Sequence, residues 1–447
     1  MNVAFEISPL LTASGSFGDK SGVYRYMIGL LDAYIRYMVS VDKRAKVVLF
    51  SFNRDLMKFP LNPEVLKIIR NSPQVVIINR ISVIQQKSLI ETIRDTIIMD
   101  VPVVRTVLKA VNKILSITSI NKEISDRIQF RKYCSFLAKQ FKKNNVKIVY
   151  HSDTGFHPIK GYKHVVTVYD LTAVAMSHMH REDTIDLQKR KMRFARLYCD
   201  GIVCISRRTK KDLLHYSQEF IEKKITVCYP GLDKAFIRRI DNRDGSLERL
   251  NRVIAKKKVR LKPRKYLLYY GTFEPRKNLQ YLVRAFCDLA DEGKIPSDFK
   301  LIMTGGEGWG KVRKVILDYI SENYESPEKS RVHVLNFMSD QHIIDFIQNS
   351  AGVVYPSLYE GFGLPVLESM ALGAPVICSN TSSMPEVGGS AVLYINPHDF
   401  FDLKDKIEQL INDRYLARDL SHEAIIQAKK FRWQKSARSL YEFMQKL

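Results

Sequence analysis

In the stretch YEGFGLPVLESMALGAPVICS, residues 359–379, Glu360 and Glu368 bracket a short glycine-rich bend that runs into an apolar segment. Gly361 and Gly363 remove side chains where the backbone must turn or come close to a ligand. Pro365 suits the first turn of a helix, where its missing N–H would have no partner. The spacing therefore predicts a helix from near Leu364 to Gly373, a C-terminal cap ahead of Pro375. The free amides at its start, with those of Phe362 and Gly363, favour an anion, and a diphosphate fits there. Glu368, about one turn into the helix, is placed to accept hydrogen bonds from a ribose diol. Glu360, ahead of the bend, is placed to hold hydroxyls of whatever is joined beyond the phosphates. Each glutamate alone reads as a helix-dipole carboxylate or a solvated loop charge; the pair favours a nucleotide-sugar site.

An anion on this bend calls for a cation. The stretch YYGTFEPRKNLQYL supplies Arg276 and Lys277 after a strand-like run and at the start of a helix, with Asn278 as its N-cap. Two cations at that strand end can neutralise a leaving diphosphate from the side opposite the bend. His151, closing the run KIVYHS, lies at a strand terminus facing the cleft, either touching a substrate or holding the strand end. The six cysteines are scattered without a CxxC pair, several inside strand-like runs, which reads as buried thiols in a reducing cytoplasm and no zinc site.

These residues need a scaffold. NVAFEIS, AKVVLFSF, PQVVIIN, KIVYHS, HVVTVYD and GIVCIS are short, β-branched and nearly continuously apolar, as strands buried on both faces of a parallel sheet are. A second series follows in KYLLYYG, FKLIMTG, VHVLNF, GVVYPS and PVICS, with amphipathic segments between. Strand then helix, repeated twice over in 447 residues, predicts two doubly wound α/β domains. The first is expected over residues 1–255 and the second over 256–430, with 431–447 as a helix crossing back to brace the first. The seam lies in 243–265, where eight of the last fourteen residues are Lys or Arg, a solvated linker rather than core. Residues 82–144 break the alternation with helix-forming sequence that carries a basic face, either packed on the first sheet or meeting anionic lipid.

Charge divides the chain as well. Residues 1–265 carry 51 Lys and Arg against 24 Asp and Glu, a net of +27, whereas 266–447 carry 20 against 23, a net of −3. The basic half is expected to face a polyanion, a nucleic acid or an anionic membrane surface. No aromatic-interleaved basic stripe or familiar recognition motif favours nucleic acid. The beginning MNVAFEISPLLTASG reads as a buried strand and not a signal peptide, and no apolar run reaches the roughly 18–20 residues needed to span a bilayer.

The residues resemble those of the family 4 retaining glycosyltransferases, which have the GT-B fold of two facing Rossmann-like domains. EGFGLPVLE resembles that family's E-x7-E motif, and GTFEPRKNL its diphosphate-binding strand end. VVTVYDLTAV, DGIVCISRRTKKDLL, VCYPGLDKAF, the final FRW and, in the first domain, SGVYRYMIGLL look like further family blocks. The resemblance implies that Glu360, Arg276 and Lys277 carry the chemistry. Thr272, Met338, Gly361, Phe362, Gly363, Leu364 and Glu368 would bind the donor. Gly22, Tyr169 and Asp170, with His151, would stand on the acceptor side. It implies front-face substitution, with the leaving diphosphate helping to deprotonate the acceptor. No D-x-D sequence occurs in the chain, so no metal is expected, and Arg276 and Lys277 would take over its electrostatic role. Tyr169 stands where many members have histidine. Thr272 stands where many have arginine, which leaves the diphosphate one cation short unless another residue supplies it.

The expected function is thus transfer of a hexose, mannose from GDP-mannose as first reading, to a lipid-linked or polysaccharide acceptor. The enzyme would sit in the cytoplasm, peripheral on the inner face of the plasma membrane, with no other cofactor. A UDP-sugar donor, a basic nucleic-acid-binding protein on a Rossmann-type scaffold, and a non-catalytic helper of a partner transferase are the alternatives. Replacing Glu360 by alanine is expected to abolish transfer and leave the fold intact.

Overall fold

Short runs of β-branched and apolar residues, buried on both faces, form two all-parallel sheets in a computed structural model that describes residues 1–12, 22–53, 56, 61, 63–78, 119–221, 223–237, 245–255 and 259–447. The first sheet comprises β1 (Asn2–Glu6), β2 (Val47–Phe50), β3 (Val75–Ile77), β4 (Val146–His151), β5 (Lys163–Val168), β6 (Gly201–Cys204) and β7 (Lys224–Val227). Its order is β3-β2-β1-β4-β5-β6-β7, with Val3 opposite Val47 on one side and Ile148 on the other. The second comprises β8 (Tyr266–Tyr270), β9 (Lys300–Thr304), β10 (Val332–Leu335), β11 (Gly352–Tyr355), β12 (Val376–Ser379) and β13 (Leu393–Ile395), in the order β10-β9-β8-β11-β12-β13. Strand order reverses between β1 and β4 and again between β8 and β11. Those switch points are where open α/β sheets take ligands.

Six helices position the site or join the lobes: α1 (Gly22–Val41), α2 (Ser119–Lys143), α3 (Ser246–Ile254), α4 (Asp340–Asn349), α5 (Leu364–Ala371) and α6 (Trp433–Gln445). The last of these returns to the first lobe and packs along α1. Tyr441 lies against Tyr34 and Tyr37, at ring separations of 6.2 and 5.5 Å. A Cβ on Gly29 would sit 2.3 Å from the Trp433 ring, so α1 offers the indole a bare patch of backbone.

Helix α3, at the end of the first domain by sequence, packs instead on α4 of the second lobe. Arg249 forms a two-point ion pair with Asp345 at 2.9 and 3.0 Å, and Asn349 donates to the Ser246 hydroxyl at 2.8 Å. The basic seam is also not wholly solvated, because its apolar Val259 and Leu261 are buried between the exposed cations. Residues 256–258 of that seam, like 82–118 of the basic helical region, lie outside the described residues.

What is described of that region is α2. Tyr133, Phe136, Leu137 and Phe141 pack against Val48, Phe50 and Val149 of the first sheet, while Arg127, Arg131, Lys132, Lys139, Lys142 and Lys143 face outward. Among the described residues no helix is long and apolar enough to cross a membrane.

Candidate active site

The bend leaves β11 at the second switch point and enters α5. Gly363 has φ +100°, a left-handed backbone that strains any other residue, and it directs the chain into the helix. Gly361 is constrained differently. A Cβ there would lie 2.6 Å from the carbonyl oxygen of Tyr169 and 3.0 Å from Cβ of Asp170, so the close approach is to the end of β5 in the other lobe. Thr209 reinforces this seam by donating to the Tyr169 carbonyl at 3.1 Å and reaching the Gly361 carbonyl at 3.4 Å. Phe362 is buried between Tyr229 and Phe431, with ring centroids 6.0 and 5.6 Å away.

Glu360 is 7% exposed and lies between the two cations expected from sequence. One oxygen accepts from Arg276 Nη1 at 2.9 Å and the other from Lys277 Nζ. Arg276 also pairs with Glu274 at 3.0 Å and donates to the Tyr359 carbonyl at 3.1 Å. Thr272 donates its hydroxyl to the same Glu274 at 2.5 Å. Burial pushes the Glu360 carboxyl up, but the Arg276 and Lys277 charges outweigh it and hold the group at about 2. It is an anion at every physiological pH. The local charges of Arg276, Lys277, Glu274 and Glu360 therefore cancel.

Glu368, 4% exposed, lies one turn into α5 and accepts from the Tyr270 hydroxyl at 3.2 Å. Its other oxygen is taken by a residue the sequence reading did not single out. Arg25, three positions past Gly22 on α1, donates Nη1 to Glu368 at 2.5 Å and Nη2 to Asp340 at 2.6 Å. Burial raises the Glu368 carboxyl and the Arg25 charge opposes that rise. Gly22 stands over the start of α5, where a Cβ would touch Leu364 Cδ1 at 4.0 Å. Met338, beside Asp340, is half-buried, and Phe337 next to it is 74% exposed. Glu368, Leu364 and the loop before Asp340, expected on the donor side, are thus brought together with the first lobe's Gly22 and Arg25.

On the acceptor side Tyr169 is 8% exposed, with the Tyr26 ring 5.4 Å away and Lys191 Nζ 4.9 Å over its face. Its buried hydroxyl has no partner among the described residues. Asp170 accepts from the Thr172 amide at 3.0 Å and hydroxyl at 2.6 Å, which fixes the loop that meets Gly361. His151 is not in the cleft. It is fully buried, stacked on Phe52 at 5.6 Å and bonded to His164 at 2.9 Å, so the structural alternative is the one the geometry supports. The buried carboxylate on that side is Glu6, at the end of β1, bonded by Ser8 and Ser152 and pushed up by burial to about 7. Its sequence signal was only a charge ending an otherwise apolar strand.

Further contacts close the two lobes on each other. Glu386 accepts the amides of Arg207 and Arg208 at 2.9 and 2.6 Å and the Tyr229 hydroxyl at 2.7 Å. Trp309 donates to the Met179 carbonyl, and Tyr359 to Asp212.

Comparison with known proteins places this geometry. Residues 251–431 match the family model described as glycosyl transferases group 1. The O-antigen chain mannosyltransferase B of Escherichia coli is 26% identical over 301 residues, covering 64% of this chain and 71% of that protein. The serotype-specific mannosyltransferase WbdA of Escherichia coli is 31% identical over 241 residues, and the match spans 53% of this chain but only 28% of that longer protein. Among solved structures, Anabaena Alr3699/HepE in complex with UDP and glucose superposes with a TM-score of 0.61 at 14% identity, covering 100% of both chains. The glycosyltransferase from Rickettsia africae superposes with a TM-score of 0.61 at 16% identity, covering 100% of this chain and 98% of that one. The two facing parallel sheets are the GT-B arrangement. The glycine bend and its cations lie at the switch point of the second lobe, within residues 251–431, the part of the chain that matches the group 1 glycosyltransferase model.

Proposed function

We propose that this glycosyltransferase moves a hexose, mannose from GDP-mannose as first reading, onto a lipid-linked or polysaccharide acceptor with retention at the anomeric carbon. The observation that carries the reading is the clamp itself: Glu360 fixed by Arg276 and Lys277 before the bend, and Glu368 one turn beyond it. In this reading the amides of Phe362, Gly363 and Leu364 take the diphosphate and Glu368 the ribose. The backbone at Phe337–Met338 takes the base, and Glu360 holds sugar hydroxyls. Arg276 and Lys277 exchange part of their hold on Glu360 for charge developing on the leaving diphosphate. The diphosphate, departing on the face the acceptor enters, draws off the acceptor proton. The acceptor would lie between Gly22 and the Tyr169–Asp170 loop. Two mannosyltransferases among the relatives support the choice of sugar.

A thermal-shift panel of nucleotide sugars tests this directly. A donor at a hundredfold excess over its Kd stabilises the protein by about 2.7 kcal/mol, readable as a rise of several degrees in Tm. GDP-mannose is expected to give that rise. A rise with UDP-linked sugars alone would replace it by the UDP-sugar alternative, and no rise with any donor would overturn the nucleotide-sugar reading.

The site of action is proposed to be an anionic membrane surface, met by the outward face of α2. That face holds six cations, each contributing about 1 kcal/mol near an anionic leaflet. Cosedimentation with phosphatidylglycerol vesicles should be strong at low salt and fall as salt rises. Tighter binding to duplex DNA than to vesicles across the same series would favour the nucleic-acid alternative.

A further inference from the structure

We infer that Arg25 is the missing cation of the donor site: it changes partners, from Glu368 and Asp340 to the donor diphosphate, as the ribose takes Glu368. The inference rests on the nucleotide-sugar reading above. A ribose diol engages a carboxylate through two hydroxyl donors. Both Glu368 oxygens are already in use, one by Arg25 at 2.5 Å and the other by Tyr270 at 3.2 Å. A ribose diol on Glu368 therefore has to share an oxygen with the Arg25 guanidinium or displace it.

The displaced guanidinium remains tethered one turn into α1, whose Gly22 overhangs Leu364 at the start of α5. Besides Asp340, the anion within its reach is then a diphosphate on the α5 amides, one helical turn from Glu368. Charge favours the exchange. Arg276 and Lys277 are compensated by Glu274 and Glu360, so that side of the pocket offers a diphosphate no net charge. Thr272 adds none. A planar guanidinium from the opposite lobe supplies it in two-point geometry. Because Arg25 belongs to the first lobe, the same exchange draws α1 onto the donor.

Calorimetry with GDP, UDP and the free nucleosides guanosine and uridine tests it. Arg25→Ala should weaken the bound diphosphate about 10- to 100-fold while leaving its nucleoside equal or tighter, because Glu368 is freed. Arg25→Lys keeps the charge without the fork and should fall between. Asp340→Asn removes one of the competing partners and should tighten the diphosphate several-fold. Equal losses of nucleoside and diphosphate in Arg25→Ala, or no gain in Asp340→Asn, would mark a merely structural residue and overturn the proposal. Wild-type protein that binds neither diphosphate fails the nucleotide-sugar reading itself, which is a separate result.

Discussion

Glu360→Ala is expected to lower the transfer rate at least about 10²- to 10³-fold, as loss of one organised electrostatic contact does, and also to lower Tm. The second effect is the one that geometry adds. Removing this carboxylate leaves Arg276 and Lys277 buried with only Glu274 between them, and breaking such a pair costs about 3–5 kcal/mol. At about 2–4 °C per kcal/mol for a lobe of this size, the midpoint should fall by roughly 6–20 °C. Scanning calorimetry beside a hexose-transfer assay reads both. Transfer within tenfold of wild type at an unchanged Tm would remove Glu360 from the site. The sequence reading expects a lost activity on an intact fold; a carboxylate held at about 2 by two cations is also part of what holds the lobe together.

Gly361→Val is the second large effect. The new side chain would press on the Tyr169 carbonyl and Asp170 Cβ, both fixed at the end of β5, from distances of 2.6 and 3.0 Å at Cβ alone. The lobes have to separate at the proposed reaction centre, and a misplacement of about 1 Å costs on the order of 10² in rate. Binding of a nucleoside diphosphate should weaken with it, toward the loss expected of Arg25→Ala, because Arg25 moves away with the first lobe. Gly22→Ala is the contrasting case, since its Cβ meets Leu364 only at 4.0 Å, and it should retain most activity. Equal, mild effects for the two variants would show that the lobes do not work at this separation.

The large elements were legible because burial on both faces leaves continuous β-branched runs. The strands that escaped are edges. β7, KITV, has no fully buried residue and β13 has three residues, and the five-residue apolar runs around them, ITVCY and AVLYI, were passed over. The meeting of Glu360 with Arg276 and Lys277 was legible for a related reason. Glycine, proline and charge fall at a strand end, and a parallel sheet brings its strand ends to one edge, so Glu360, Arg276 and Lys277 meet without further information. His151 shows the limit of that rule. It ends a strand as expected, yet its side chain turns into the core between Phe52 and Phe194, and strand position alone does not say which way a terminal side chain points. Arg25 was illegible because its partners, Glu368 and Asp340, belong to the other lobe. Only the way the two sheets face each other puts them within reach.

The return of α6 to the first lobe has a mechanical consequence. The chain leaves that lobe just past Gly231 and re-enters it at Trp433, and a Cβ on Gly231 would lie 2.4 Å from the Trp433 amide nitrogen. The two crossings therefore run side by side in contact, so the lobes are joined by a double backbone connection at one place. Tyr229 and Phe431 flank that crossing, 5.7 Å apart, and Phe362 of the glycine bend rests on both. The bend is thus packed directly on the place where the chain passes between the lobes.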